Sequence, residues 1–316
     1  MPRAGAFYRG LQSARTARAA AALAAVALSC VACTPAGDAG GPPSPTPRPI
    51  TAIVQLGDSF SSGNGAGNYE EDTCRRSPDN YSAPLARELG ASYTNASCSG
   101  ARTSDIAEQV SAVTPDTSVV FLTAGGNNAN FARIISSCFV LRTPNSCEDA
   151  MNKATAALPA IEEATVEILR AIDTASQGQA TAILVGYPRL FAEHSYLIPP
   201  VAESYDAGAA LARLQDGADA LQERAAAQLR EETSSARFLF ASTQELFAGH
   251  EPRAQAFHDN EEAWLVSPFS SSDVRAWMHP TAHGYRVEAT YLRELLARAG
   301  FAIPASPASP ESTPLP

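Results

Sequence analysis

Lysine is nearly missing from this chain: Lys153 stands alone, and every other cation is an arginine. Charge of any kind is scarce, at 18% of residues, and it leans acidic, with 33 Asp and Glu against 23 Lys and Arg. The imbalance deepens once Arg3, Arg9, Arg15 and Arg18 are set aside, because no acid precedes Cys33. So acidic a body is repelled by phosphate backbones, which excludes nucleic acid as an expected partner. A membrane-spanning run is also lacking. The apolar stretch Ala19 to Val31 falls short of the roughly 20 residues that cross a bilayer. Prolines are sparse between 51 and 303 but dense in 34–50 and 304–316, which predicts one core between two disordered tails. With 45% hydrophobic and 7% aromatic residues, that core is of ordinary globular make-up.

The four early arginines followed by a short apolar run read as an export signal, residues 1–32. Ala32-Cys33 and the polar stretch after it are similar to the cleavage box of bacterial lipoproteins. Cys33 is then the lipidated residue, 33–49 a Pro/Gly-rich tether, and membrane attachment through that cysteine is expected; free secretion is the alternative. Export agrees with the remaining cysteines, Cys74, Cys98, Cys138 and Cys147, an even number suited to an oxidising compartment. Four cysteines permit three pairings. Cys74–Cys98 with Cys138–Cys147 closes two short loops without crossing and is the expected set. No two of the four stand at the spacing of a zinc knuckle.

Within 50–303, strand-like runs alternate with helical stretches. Ile50–Leu56, Ser118–Thr123, Thr181–Val185 and Arg237–Phe240 are apolar and β-rich, and the first three end at glycine, directly or within two residues. Between and after them, Pro84–Leu89, Glu148–Ser176, Ala209–Glu232 and His283–Ala299 read as helices. That order predicts a single-domain three-layer α/β/α sandwich around a mainly parallel sheet. Stretches 189–205 and 248–272 are long and irregular, candidates for walls over a site. The tail 304–316 is expected to be disordered. Nothing suggests an oligomer, so a monomer is expected.

In such a sheet, ligands bind beyond the carboxyl ends of the strands. Four stations lie there: Gly57-Asp58-Ser59, Ser99-Gly100, Gly125-Gly126-Asn127-Asn128 and Trp277-Met278-His279-Pro280. In this order they resemble the SGNH hydrolases, the GDSL esterase and lipase family, and in particular its exported actinobacterial esterases. The resemblance spans 52–300 and implies a carboxylic ester as substrate, Ser59 as nucleophile and His279 as base, with no metal or organic cofactor. It implies an oxyanion hole of Ser59 N–H, Gly100 N–H and the Asn127 amide. Asn128 replaces the family's usual aspartate. The triad acid, three residues before the histidine, is replaced by Ala276. The expectation is therefore a Ser59–His279 dyad oriented by the Ala276 backbone carbonyl, with Asp273 as the alternative third member. His279 and His283 are four apart, but the glutamate of a His-Glu-x-x-His zinc motif is missing. His194, His250 and His258 fall in irregular segments. Alternative functions are an esterase or acyltransferase acting on acylated cell-wall sugars, and a catalytically inactive surface binding lipoprotein.

Overall fold

The four apolar runs become four parallel strands, and a fifth joins them at the edge. The computed structural model describes residues 46–192, 195–198, 204–254, 260–268 and 270–304. The expected signal segment, Cys33, His194, His258 and nearly all of the C-terminal tail lie outside the described residues. The strands are β1 (Ala52–Gly57), β2 (Ser92–Asn95), β3 (Val119–Thr123), β4 (Thr181–Val185) and, later in the chain, β7 (Phe238–Ala241). They pair in parallel in the order β2-β1-β3-β4-β7. A small antiparallel pair, β5 (Leu197–Ile198) with β6 (Tyr205–Asp206), stands apart.

Alternation along the strands sorts side chains into two cores. Val54, Leu56, Val120, Leu122, Ala182 and Leu184 face α3 (Thr103–Gln109), α5 (Pro144–Ala175) and α6 (Ala207–Thr233). Ile53, Val119, Phe121, Ile183 and Val185 face α2 (Ala83–Leu89) and α7 (Ala282–Arg298). The result is the expected three-layer α/β/α sandwich. Pro144 opens α5 at a helix's first turn, where a proline costs nothing, so this helix starts earlier than its apolar periodicity suggests. Pro159 lies inside α5 and leaves one carbonyl of the preceding turn without its intrahelical donor.

A third cluster lies beyond the strands' carboxyl ends. It brings Phe60, which follows β1, together with Ile134, Phe139, Leu190, Leu211, Leu214 and Met278. The disulfides Cys74–Cys98 and Cys138–Cys147 are both present. The first ties the loop after β2 to the segment following α1 (Ser59–Ser62); the second ties the start of α5 to a π-helical segment, Ile135–Val140.

Candidate active site

The site grows from the end of β1. Gly57 has φ +117°, and a Cβ there would run into the backbone of Thr123, so only glycine lets the chain turn sharply above the sheet. Gln109 of α3 pins that turn, its side chain accepting from Gly57 N–H at 2.7 Å and donating to Gly57 C=O at 3.1 Å. Asp58 then caps α1, its Oδ1 accepting from Phe60 N–H at 3.0 Å. Its Oδ2 accepts from the Tyr187 hydroxyl at 2.6 Å, and that hydroxyl accepts from Gly126 N–H at 2.9 Å. Burial pushes the Asp58 carboxyl up to about 7, against the pull of these donors.

Ser59, the first residue of α1, meets His279: Oγ lies 2.7 Å from Nε2. The other ring nitrogen, Nδ1, lies 2.9 Å from the Trp277 carbonyl. With Nδ1–H donating there, Nε2 is left to accept from the serine hydroxyl. The carbonyl at hydrogen-bond distance from Nδ1 is thus that of the residue two before the histidine, not three. Ala276 C=O accepts the backbone N–H of His279 at 3.1 Å instead. The cause is local: Met278 takes a left-handed φ of 63°, which turns the Trp277 peptide toward the ring. Such a backbone is held by its surroundings. Met278 N–H donates to Val266 C=O, Val266 N–H to His279 C=O, and Thr281 N–H to Trp264 C=O. On the other side Gly65 lies so close that a Cβ would meet His279 Cβ at 2.9 Å, and Asn64 Nδ2 donates to Arg275 C=O at 2.6 Å.

His279 is buried and its ring packs on Phe60, with centroids 4.8 Å apart. Burial lowers its pKa to about 4, while the Trp277 and Ala276 carbonyls favour the charged ring. The imidazole is therefore neutral near pH 7. Asp273 takes no part at the ring. It pairs with Arg75 through two contacts, Nη1 to Oδ1 at 3.2 Å and a shorter Nη2 to Oδ2. Arg75 is buried and lies over the Tyr69 ring at 4.1 Å.

Gly100 and Asn127 line the same cavity as Ser59. Asn127 Nδ2 donates one hydrogen to Ala101 C=O at 2.9 Å, which leaves the second for a ligand. Asn128 does different work. Its Oδ1 accepts from Thr103 N–H and its Nδ2 donates to Thr103 Oγ1, both at 3.0 Å, at the start of α3. The cavity is about 490 Å³ and runs from Ser59 and His279 between α5 and α6, over Leu158, Ile161, Leu211, Leu214 and Leu221. His283 and His250 both lie against Trp264, at centroid distances of 5.4 Å and 3.7 Å. Among the described residues no cluster of His, Cys, Asp or Glu could hold a metal ion.

Three participants have no counterpart in the sequence expectation: Tyr187, Arg75 and the Trp277 carbonyl. Tyr187 could have been suspected from Gly186-Tyr-Pro188 at the end of β4, a strand-end position like the others. Arg75 and Trp277 carry no signal of that kind.

A model of the GDSL-like lipase/acylhydrolase family matches residues 56–287. A lipase of Streptomyces rimosus is 33% identical over 239 residues, 74% of this chain and 82% of that protein. Among solved structures, the extracellular lipase of Streptomyces rimosus has a TM-score of 0.65 at 30% identity, covering 79% of this chain and 100% of that one. Phospholipase A1 of Streptomyces albidoflavus has a TM-score of 0.64 at 28% identity, covering 79% and 99%. The chain belongs to the GDSL-like lipase/acylhydrolase family, the SGNH hydrolases, and is a carboxylic ester hydrolase.

Proposed function

We propose that the protein is an exported serine esterase or lipase that cleaves acyl esters through an acyl-serine intermediate on Ser59. The observation that carries this reading is the 2.7 Å contact between Ser59 Oγ and His279 Nε2 at one end of an apolar cavity. His279, neutral near pH 7, takes the serine proton as Oγ attacks the ester carbonyl. The carbonyl oxygen becomes an oxyanion facing Ser59 N–H, Gly100 N–H and the free hydrogen of Asn127 Nδ2, each worth about 3–4 kcal/mol when placed beforehand. Collapse expels the alcohol, protonated by His279, and leaves the acyl group on Ser59. A water activated by the same imidazole then releases the acid. The Trp277 carbonyl holds the tautomer that this sequence of transfers needs, in the place a carboxylate has in a triad.

The leucines and isoleucine of the cavity suit an acyl chain of several carbons better than the acetyl group of a sugar, which favours a lipid-like ester over a cell-wall polysaccharide. The lipase and phospholipase A1 relatives point the same way. Two disulfides fit an oxidising compartment, and Cys33 is the proposed site of lipid attachment. Retention of a formed serine–histidine contact speaks against a binding-only role.

The test is Ser59→Ala with labelling of the parent by a serine-directed phosphonate. Turnover of a soluble ester should fall on the order of 10⁶-fold, and the label should map to Ser59. Activity within tenfold of the parent, or a label elsewhere, would reassign the nucleophile.

A further inference from the structure

Acid is missing from one part of this acidic chain. From Thr117 to Cys147 there is no Asp or Glu, yet the stretch carries Arg133 and Arg142. Both arginines are exposed, and among the described residues neither is paired with a carboxylate, a state they share with Arg87, Arg102 and Arg286, whereas eight others from Arg170 to Arg298 are paired. The Arg142 guanidinium lies over the Tyr196 ring at 5.7 Å.

The same stretch exposes large apolar side chains. Val140 is 44% and Leu141 67% exposed there, and among the described residues Leu197 at 58% and Val274 at 62% are exposed elsewhere in the chain. They are not scattered. Val140 and Val274 both line the Ser59 cavity, so they stand at its opening. Leu141 follows Val140, and Leu197 follows Tyr196, whose ring stacks on Phe139 at 5.7 Å. The tip is also held in place. The Cys138–Cys147 disulfide closes its base, Leu141 N–H donates to Ser136 C=O at 2.8 Å, and Thr143 N–H to Ser137 C=O at 3.0 Å. Arg142 turns the chain with φ 53°. A stapled loop that shows adjacent valine and leucine to water gains nothing by doing so in a monomer, and exposed apolar side chains beside a cavity mouth mark a contact site.

We propose that the tip Val140-Leu141-Arg142, with Arg133 on the helical segment that leads into it, is a docking surface for a lipid bilayer bearing anionic head groups. The charge decides the occupant. An anionic surface repels this acidic body as a whole and attracts the two exposed arginines of the acid-free run, so the protein settles with its cavity mouth against the lipid. Among the described residues no helix is long and apolar enough to cross a membrane. Apolar residues pressed into the head-group region beside the mouth let an acyl chain pass from bilayer to cavity without crossing water. That purpose rests on the ester-hydrolysis reading of Ser59; the surface itself does not.

The test therefore reads binding at the tip. In the full chain, Leu141→Trp places an indole there; its emission should shift to the blue and be quenched by brominated acyl chains on vesicles of phosphatidylglycerol and phosphatidylcholine in equal parts. Because the probe sits at the tip, an acyl anchor at Cys33 cannot mimic the result. Arg133→Gln with Arg142→Gln, in the Leu141→Trp background, should weaken partition onto these vesicles about fivefold per arginine and leave partition onto pure phosphatidylcholine unchanged. Turnover of a soluble short-chain ester should stay within twofold for Leu141→Ser and for the arginine pair. An indole that neither shifts nor quenches overturns the proposal, as does sedimentation showing a dimer that Leu141→Ser dissolves. Ser59→Ala should still bind vesicles. Binding without hydrolysis in the parent would remove the esterase reading and leave the surface standing.

Discussion

Replacing Asp273 by asparagine separates two accounts of how the catalytic imidazole is oriented. Asp273 is the nearest acid upstream of His279, and a triad would need its carboxylate at Nδ1. The structure gives that position to the Trp277 carbonyl, at 2.9 Å, and gives Asp273 to Arg75. Asp273→Asn should accordingly leave kcat on a soluble ester within tenfold. Its effect belongs to stability instead. The Arg75 side chain is only 5% exposed, so losing its anionic partner leaves a guanidinium poorly compensated inside the protein. Breaking a fully buried pair from one side costs about 3–5 kcal/mol. Asp273 is 40% exposed and Arg75 keeps its stack on Tyr69, which brings the expectation down to roughly 1–3 kcal/mol.

The pH dependence gives the loss a signature. Arg75 holds the Asp273 carboxyl below the usual carboxylate range. A depressed carboxylate contributes stability above its unfolded value, about 3.9, and loses that contribution as pH falls through its folded value. Denaturant titrations of parent and variant should therefore differ most at neutral pH and converge as the pH drops below about 4. A kcat falling toward the 10⁴-fold seen when a triad acid becomes an amide would refute the dyad and make Asp273 its third member. A gap in stability that does not narrow at all as the pH falls below about 4 would refute the ion-pair account.

Asn127→Ala should lower kcat about 10²- to 10³-fold with little change in KM, because its free amide hydrogen is needed mainly in the transition state; a rise in KM alone would make it a substrate-binding residue. The acid limb of kcat/KM should lie near pH 4 rather than near the 6.5 of a solvated imidazole, since burial lowers His279 to about 4 and the neutral base survives down to that pH. A limb near 6.5 would mean that the ring is solvated in the working enzyme. Opening the Cys138–Cys147 loop with paired alanines should cost about 3 kcal/mol by loop-closure entropy, read from denaturant midpoints, and an unchanged midpoint would show that α5 holds this segment unaided.

Much of this fold could be read along the chain, for a physical reason. Strands β1, β3, β4 and β7 are covered by helices on both faces or nearly so, and such strands must be continuous apolar runs. Strand β2 escaped because it is an edge strand of Ser-Tyr-Thr-Asn, half-exposed and paired only with β1. Helix α3 escaped because its single deeply buried apolar side chain, Ile106, makes no periodic pattern. The chemistry was legible for a different reason. A parallel sheet delivers each strand's carboxyl end to the same rim, so Ser59 and Asn127 are placed by the strands they follow, and Gly100 and His279 by loops crossing that rim. The Trp277 carbonyl could not be anticipated, since it depends on a left-handed turn at Met278, and methionine gives no sign of one. Asp58 and Tyr187 show the same limit. One hydroxyl joins the nucleophile's turn to the Gly126 loop beside Asn127, a link between residues far apart in sequence.

Specificity was the least legible part. Leu158 and Ile161 on α5, and Leu211, Leu214 and Leu221 on α6, recur at the spacing of an ordinary buried stripe. A helix facing a core and a helix facing an acyl-binding cavity need the same residues, because both surfaces must be kept from water. What separates the two is whether the helices close against one another, and that depends on packing at other points along them. Toward its C-terminal half α5 closes against the sheet and α6 through Val166, Leu169, Ile172, Ala225 and Leu229. Around Pro159, nearer the strand ends, the same pair opens into the 490 Å³ cavity. A chain therefore advertises its nucleophile, whose chemistry few residue types can perform, and conceals its substrate pocket, whose walls are chemically indistinguishable from its core.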